Sequence, residues 1–120
     1  MNKEQAIQAF WAGFGYPAYD ESSVPDTATF PRITYEGQTD NFGERIASSA
    51  SIWTRGTSWS LAEGIKHTIE QTITRGGTLI SHDDGAIWIK RGNPFSLRMT
   101  DSADDMIRRI VINLELEFID

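Results

Sequence analysis

The sequence contains no cysteine, which excludes disulfides, thiolate nucleophiles and Cys-based zinc or iron–sulfur sites within it. Histidine is scarce: His67 and His82 are the two positions where imidazole chemistry could arise. Positive charge is in short supply too. Eleven Lys and Arg stand against 17 Asp and Glu, a net −6 with His neutral. That balance runs against nucleic-acid binding, which draws its affinity mainly from clustered cations. No apolar run approaches the ~18 residues of a membrane span, and no charged-then-apolar leader opens the sequence. The expectation is a chain made and folded in a cytoplasm, with no membrane partner.

Aromatic residues, in contrast, are plentiful. Four Trp, three Tyr and six Phe among 120 residues argue against disorder over the whole chain. The length supports one domain, residues 1–120, with a single modest core. No internal repeat, low-complexity tract or linker divides it.

Residues 2–14 read as an amphipathic helix. Asn2 and Gln5 occupy capping-box positions, and Ile7, Phe10, Trp11 and Phe14 form one buried stripe. Residues 15–29 read as loop. Residues 30–36 read as a short strand, with Ile33 and Tyr35 alternating against Arg32 and Thr34, and residues 45–55 as a second strand rich in small side chains. The turn-rich segment 37–44 joins them as an extended hairpin tip. Residues 60–75 read as a second helix. Ser60 and Glu63 occupy capping-box positions, Leu61, Ile65, Ile69 and Ile73 form its stripe, and Gly76-Gly77 ends it. Gly64 inside that helix marks an expected close backbone contact. Residues 78–81 and 86–91 read as strands joined at Asp84-Gly85, and residues 92–105 as irregular.

Residues 106–119 carry the strongest signal. Met106, Ile110, Ile112, Leu114, Leu116 and Phe118 occupy even positions, with Arg108 the exception, while Arg109, Asn113, Glu115 and Glu117 occupy odd ones. This period of two predicts a half-buried strand. At ~3.3 Å per residue it would span roughly 45 Å, so part of it is expected to project or to pair with another chain. The fold class that follows is α+β: a mainly antiparallel sheet with two helices packed on one face, in the order α–β–β–α–β–β–β, ending in a long C-terminal strand.

Chemistry-bearing constellations are sparse. His82, Asp83 and Asp84 could serve a metal or a small hydrolase, but they fall in a hairpin turn where Asp and Gly serve geometry. There is no nucleophile-elbow pattern for a Ser-based triad. Gly76-Gly77 ends a helix, the reverse of a phosphate-binding loop. A paired-carboxylate glycosidase stays open, because such pairs are defined by separation in space. No cofactor, metal or catalytic residue is assigned. Lys90, Arg91, Arg98, Arg108 and Arg109, interrupted by Asp101, Asp104 and Asp105, form a mixed patch. It reads as half of a self-complementary subunit contact, ahead of a solvated strand end with weak ion pairs or a nucleic-acid surface.

Four stretches taken together, AFWAGFGYPAYDESSVPD, ASIWTRGTSW, GGTLISHDDGAIWIKRGNPFSLRM and SADDMIRRIVINLELEFI, give the chain its overall pattern. That pattern resembles the small tail-terminator or tail-completion (minor tail) proteins of long-tailed bacteriophages and prophages. The resemblance implies a structural virion protein without catalytic residues. Such a protein forms a homohexameric ring at the head-proximal end of the tail tube, ends tube elongation and joins the tail to the head. Its implied partners are its own copies, the tail tube protein and the head–tail connector proteins, with DNA passing through the lumen without specific binding. Its implied location is the virion neck, after assembly in the bacterial host cytoplasm. Within that frame the ring-interface candidates are Arg91, Phe95, Arg98, Asp104, Asp105 and Arg108. The hairpin-tip docking candidates are Thr39, Asp40, Asn41 and Phe42. A head–tail connector or stopper ring of the neck is the alternative, and a small hydrolase using His82 with Asp83 or Asp84 the remote one.

Overall fold

The period-two alternation near the C-terminus builds the centre of a curled sheet. The computed structural model describes residues 1–37 and 45–119. Its elements are α1 (Lys3–Ala12), β1 (Ala18–Asp20), β2 (Arg32–Tyr35), β3 (Arg45–Arg55), α2 (Ser60–Thr72), β4 (Thr78–His82), β5 (Gly85–Thr100) and β6 (Ile107–Ile119). The six strands form one sheet in the order β1-β2-β3-β6-β5-β4. Every pairing is antiparallel except β1 with β2. The class is α+β with a mostly antiparallel sheet.

β6 does not project. It is paired with β3 from Ile107 to Glu117 and with β5 from Arg108 to Ile119, so its backbone groups are taken up within the chain. The registers align the apolar residues into rows across the sheet. Ile33, Ile52 and Ile110 form one row, and Tyr35, Ala50 and Ile112 the next. Ile89 and Ile87 sit opposite Leu116 and Phe118. These residues join Ile7 and Trp11 of α1, and Ala62, Ile65 and Ile69 of α2 with Ile73 just beyond it, in one buried cluster.

The elements depart from the sequence reading at several points. The strand count is one higher, because β1 lies in the stretch read as loop. Three residues are too few to show a period, and β1 is fixed from outside when the Pro17 carbonyl accepts the Ile33 N–H at 2.8 Å. β5 continues to Thr100 through the region read as irregular. Gly92-Asn93-Pro94 is a bulge between Arg91 and Ser96, not a turn. A side chain at Gly92 would meet the Asn113 backbone at 2.8 Å, and Asn113 Nδ2 donates to the Pro94 carbonyl at 2.9 Å.

The Asn2–Gln5 capping box forms as read. The Ser60–Glu63 box does not: Trp59 is the N-cap and makes no side-chain cap bond, while the Ser58 hydroxyl accepts the Ser60 N–H. Leu61 is half exposed, and Ala62 takes the buried position instead. Gly64 faces open space and not a close neighbour.

Among the described residues no helix is long and apolar enough to cross a membrane. Ile112, fully buried in the central strand, should cost about 2–5 kcal/mol on replacement by Ala. Glu115→Ala, on the opposite face of the same strand, should stay within about 0.5 kcal/mol. Urea unfolding of both variants checks the polarity of β6.

Candidate functional site

The ring-interface candidates gather around α2. Arg91 donates from Nε to the Ile73 carbonyl at 2.6 Å and from Nη2 to the Glu70 carbonyl at 2.7 Å. It thereby caps the C-terminal end of the helix, where a cation suits the macrodipole. Its guanidinium carbon also lies 5.1 Å from the centre of the Phe95 ring. At the other end of α2, Arg98 and Arg108 approach the Trp59 ring at 4.8 and 5.7 Å. Arg98 is paired with Glu63 at 2.9 Å. Arg108 donates to the Asp105 and Thr57 carbonyls. Asp104 accepts from Arg55 at 3.2 Å and from the Met106 N–H at 3.0 Å. The structure therefore brings together Arg91 with Phe95, and Arg98 with Arg108. It engages the charged groups of Arg91, Arg98, Asp104 and Arg108 within the chain, and of Asp105 it engages the backbone carbonyl. The hairpin-tip candidates Thr39, Asp40, Asn41 and Phe42 lie outside the described residues.

His82 and its neighbours serve the β4–β5 turn. His82 Nδ1 accepts the Asp84 N–H at 3.3 Å, the Asp83 carboxylate pairs with the Met1 amine, and the Asp83 N–H donates to the Met1 carbonyl at 2.6 Å. Among the described residues, no group of three or more His, Asp or Glu is placed to hold a metal ion. A cavity of about 520 Å³ lies between α1 and β1–β2, lined by Glu4, Ile7, Gln8, Asp20, Tyr35 and Gly37. The Tyr35 hydroxyl donates to Gln8 inside it. Burial, helped by the nearby Asp20 carboxylate, pushes the Tyr35 phenol above its usual value, so it stays a neutral donor.

A second organised surface lies on the sheet face opposite the core. The registers place Arg32 of β2, Trp53 of β3, Arg109 of β6 and Met99 of β5 in one row. Thr34, Ser51, Val111 and Leu97 form the row beside it. Trp53 is pinned, its indole N–H donating to Thr34 Oγ1 at 2.9 Å. Arg109 donates from Nε to Ser51 Oγ at 3.0 Å, with its guanidinium carbon 4.5 Å from the Trp53 ring centre. On the other side Arg32 lies 5.7 Å from the same ring and 4.4 Å from the Phe30 ring. The indole thus stands between two guanidiniums, each attracted to its ring quadrupole.

Among the described residues neither Arg32 nor Arg109 is paired with a carboxylate, while Arg45, Arg55 and Arg98 all are. Among the described residues the buried Arg32 Nε makes no hydrogen bond, while Arg32 Nη1 donates to the Ala28 carbonyl at 3.5 Å. Met99 and Leu97, 44% and 50% exposed, extend the surface toward the β5 edge. Sequence reading noted Arg109 as an outward position and Arg32 as alternating with Ile33, but missed the row. Positions 32, 53 and 109 meet only through the register of three strands, and no local pattern encodes that register.

No protein-family model, curated protein or solved structure matches this chain.

The Glu63 carboxylate ties α2 to β5, and its protonation is measurable. Its hydrogen bond from Lys66 holds its carboxyl below the usual 4.5, against a smaller upward push from burial and with further help from Arg98. A depressed folded-state value means that this contribution is complete above 4.5 and is lost as pH falls through the folded value. Glu63→Gln should therefore lower stability at neutral pH and flatten its decline on acidification. Urea midpoints taken from neutral pH to well below 4.5 read both effects.

Proposed function

We propose that this chain is a structural virion protein of the tail-terminator type. Its copies form a hexameric ring that caps the head-proximal end of the tail tube, ends tube elongation and joins the tail to the head. The whole-pattern sequence resemblance supports this reading. The structural observation that carries it is the central sheet, whose two faces are treated differently. Apolar side chains of both helices and of the sheet join in a single buried cluster. The opposite face presents a fixed row of Arg, Trp and Met side chains. In this reading α1 and α2 both cover the core face and leave the other to neighbouring subunits.

Assembly needs no catalytic residue. A ring closes when each subunit presents two different surfaces related by a rotation that closes on itself. Partners in this role are the chain's own copies, the tail tube protein and the connector proteins of the head. The net charge of −6 suits a conduit through which DNA passes without sticking. The place of action is the virion neck, after assembly in the host cytoplasm.

Native mass measurement and negative-stain imaging over a concentration series, with and without phage tail tubes, test the role. Rings with a central hole, seated at one end of each tube, are expected, and His82→Ala should form them equally well. Rings that ignore tubes and bind portal or adaptor proteins would replace the terminator with a neck connector. A chain that stays monomeric and ignores tubes at every concentration would overturn the ring role.

A further inference from the structure

We propose that the outer-face row of Arg32, Trp53, Arg109 and Met99, with Phe30 and Leu97 beside it, is the surface on which a second copy of this chain docks. Carboxylates of the copy close on the two guanidiniums, and its apolar side chains cover Leu97 and Met99. The proposal rests on the ring reading and deepens it by assigning one of the two surfaces that each subunit must present.

The composition is that of the centre of an interface. Trp, Phe, Met and Arg are the residue types enriched there, while Lys and Glu are depleted. The row is also preorganised. Trp53 is held by Thr34, Arg109 by Ser51, and Arg32 lies near both Phe30 and Trp53. Side chains already fixed lose little further freedom on association.

Charge identifies the occupant. The chain has six more acids than bases, yet these two guanidiniums have no carboxylate partner among the described residues. Another copy carries the complement: Glu21, Asp26 and Asp105 are exposed, and their carboxylates have no partner among the described residues. These acids lie outside the row, which is compatible with the head-to-tail contact of a closing ring.

The edge of the sheet adds to this surface. β4 pairs with Gly85 to Ile89 of β5, so among the described residues Ser96 to Thr100 is strand-paired with β6 alone. That leaves unpaired backbone groups beside Leu97 and Met99, which an incoming strand can take up. Nucleic acid fits less well. The indole is flanked by guanidiniums from both neighbouring strands and offers no free platform for a base.

Sedimentation velocity of the full chain over a concentration series tests the proposal, with Arg109→Glu, Met99→Glu and a remote control, Arg75→Glu. Wild type and the control should associate at the same midpoint concentration, and added salt should raise it. Arg109→Glu and Met99→Glu should each raise it at least about tenfold while keeping a cooperative unfolding transition. Met99 is exposed, so its variant stands if Arg109→Glu fails to fold. Rings that form at the wild-type midpoint in both variants would overturn this surface and leave the ring reading intact. A wild-type chain that is monomeric throughout, with or without tubes, would overturn both. Binding of labelled single-stranded DNA that is lost in Arg32→Glu would overturn the second copy as the occupant.

Discussion

The pairing of β6 along both of its edges is the constraint on which the rest of the structure depends. Because side chains alternate along a strand, a slip of one residue would carry Ile110, Ile112, Leu114, Leu116 and Phe118 to the wrong face together. Hydrophobic burial on one face therefore fixes the register with β3 and β5, and that register then fixes everything opposite. Arg109 meets Trp53 because Ile110 must meet Ile52. The outer row is a geometric consequence of the core, although its own residues contribute little to that core.

The arginines divide by what surrounds them. Arg91 meets helix carbonyls and behaves as a cap. Arg45, Arg55 and Arg98 meet carboxylates near the surface, where such pairs each contribute little. Arg32 and Arg109 meet an indole, a carbonyl and a hydroxyl, but no anion among the described residues. In a chain short of cations, all six are engaged within the fold, Arg109 by Ser51 Oγ and Arg32 by the Ala28 carbonyl and two aromatic rings. Of the three ring-interface arginines singled out from the sequence, Arg91 falls in the first group and Arg98 in the second, while Arg108 donates to the Asp105 and Thr57 carbonyls. Their spacing marked the seam between α2 and the sheet, which a linear patch of mixed charge cannot distinguish from a seam between subunits.

Legibility in the sequence followed the range of the interaction responsible. The bounds of β3 and the alternation of β6 were readable because a period of two repeats over many residues. The Asn2–Gln5 cap was readable because it closes over three residues. The Ser60–Glu63 cap had the same local signal and failed, because Glu63 is drawn to Lys66 and to Arg98 on β5. Gly92-Asn93-Pro94 carried a turn signal, but the strands on either side hold it as a bulge against Asn113. The outer row lay beyond local reading altogether, since it assembles one residue from each of four strands.

The same dependence on register shapes how such a surface can be built. A row of one residue from each of several strands keeps its spacing only while the whole sheet is intact, so it is rigid without any local device to stiffen it. Trp53 illustrates the benefit. Its ring is flanked from β2 and β6, its N–H is satisfied by Thr34, and the hydroxyls of Thr34 and Ser51 beneath it are themselves buried. A partner meeting this face finds its charges already aimed and its polar neighbours already bonded. What the fold leaves open are anionic and apolar contacts, which are the two that an acidic chain with exposed side chains can return.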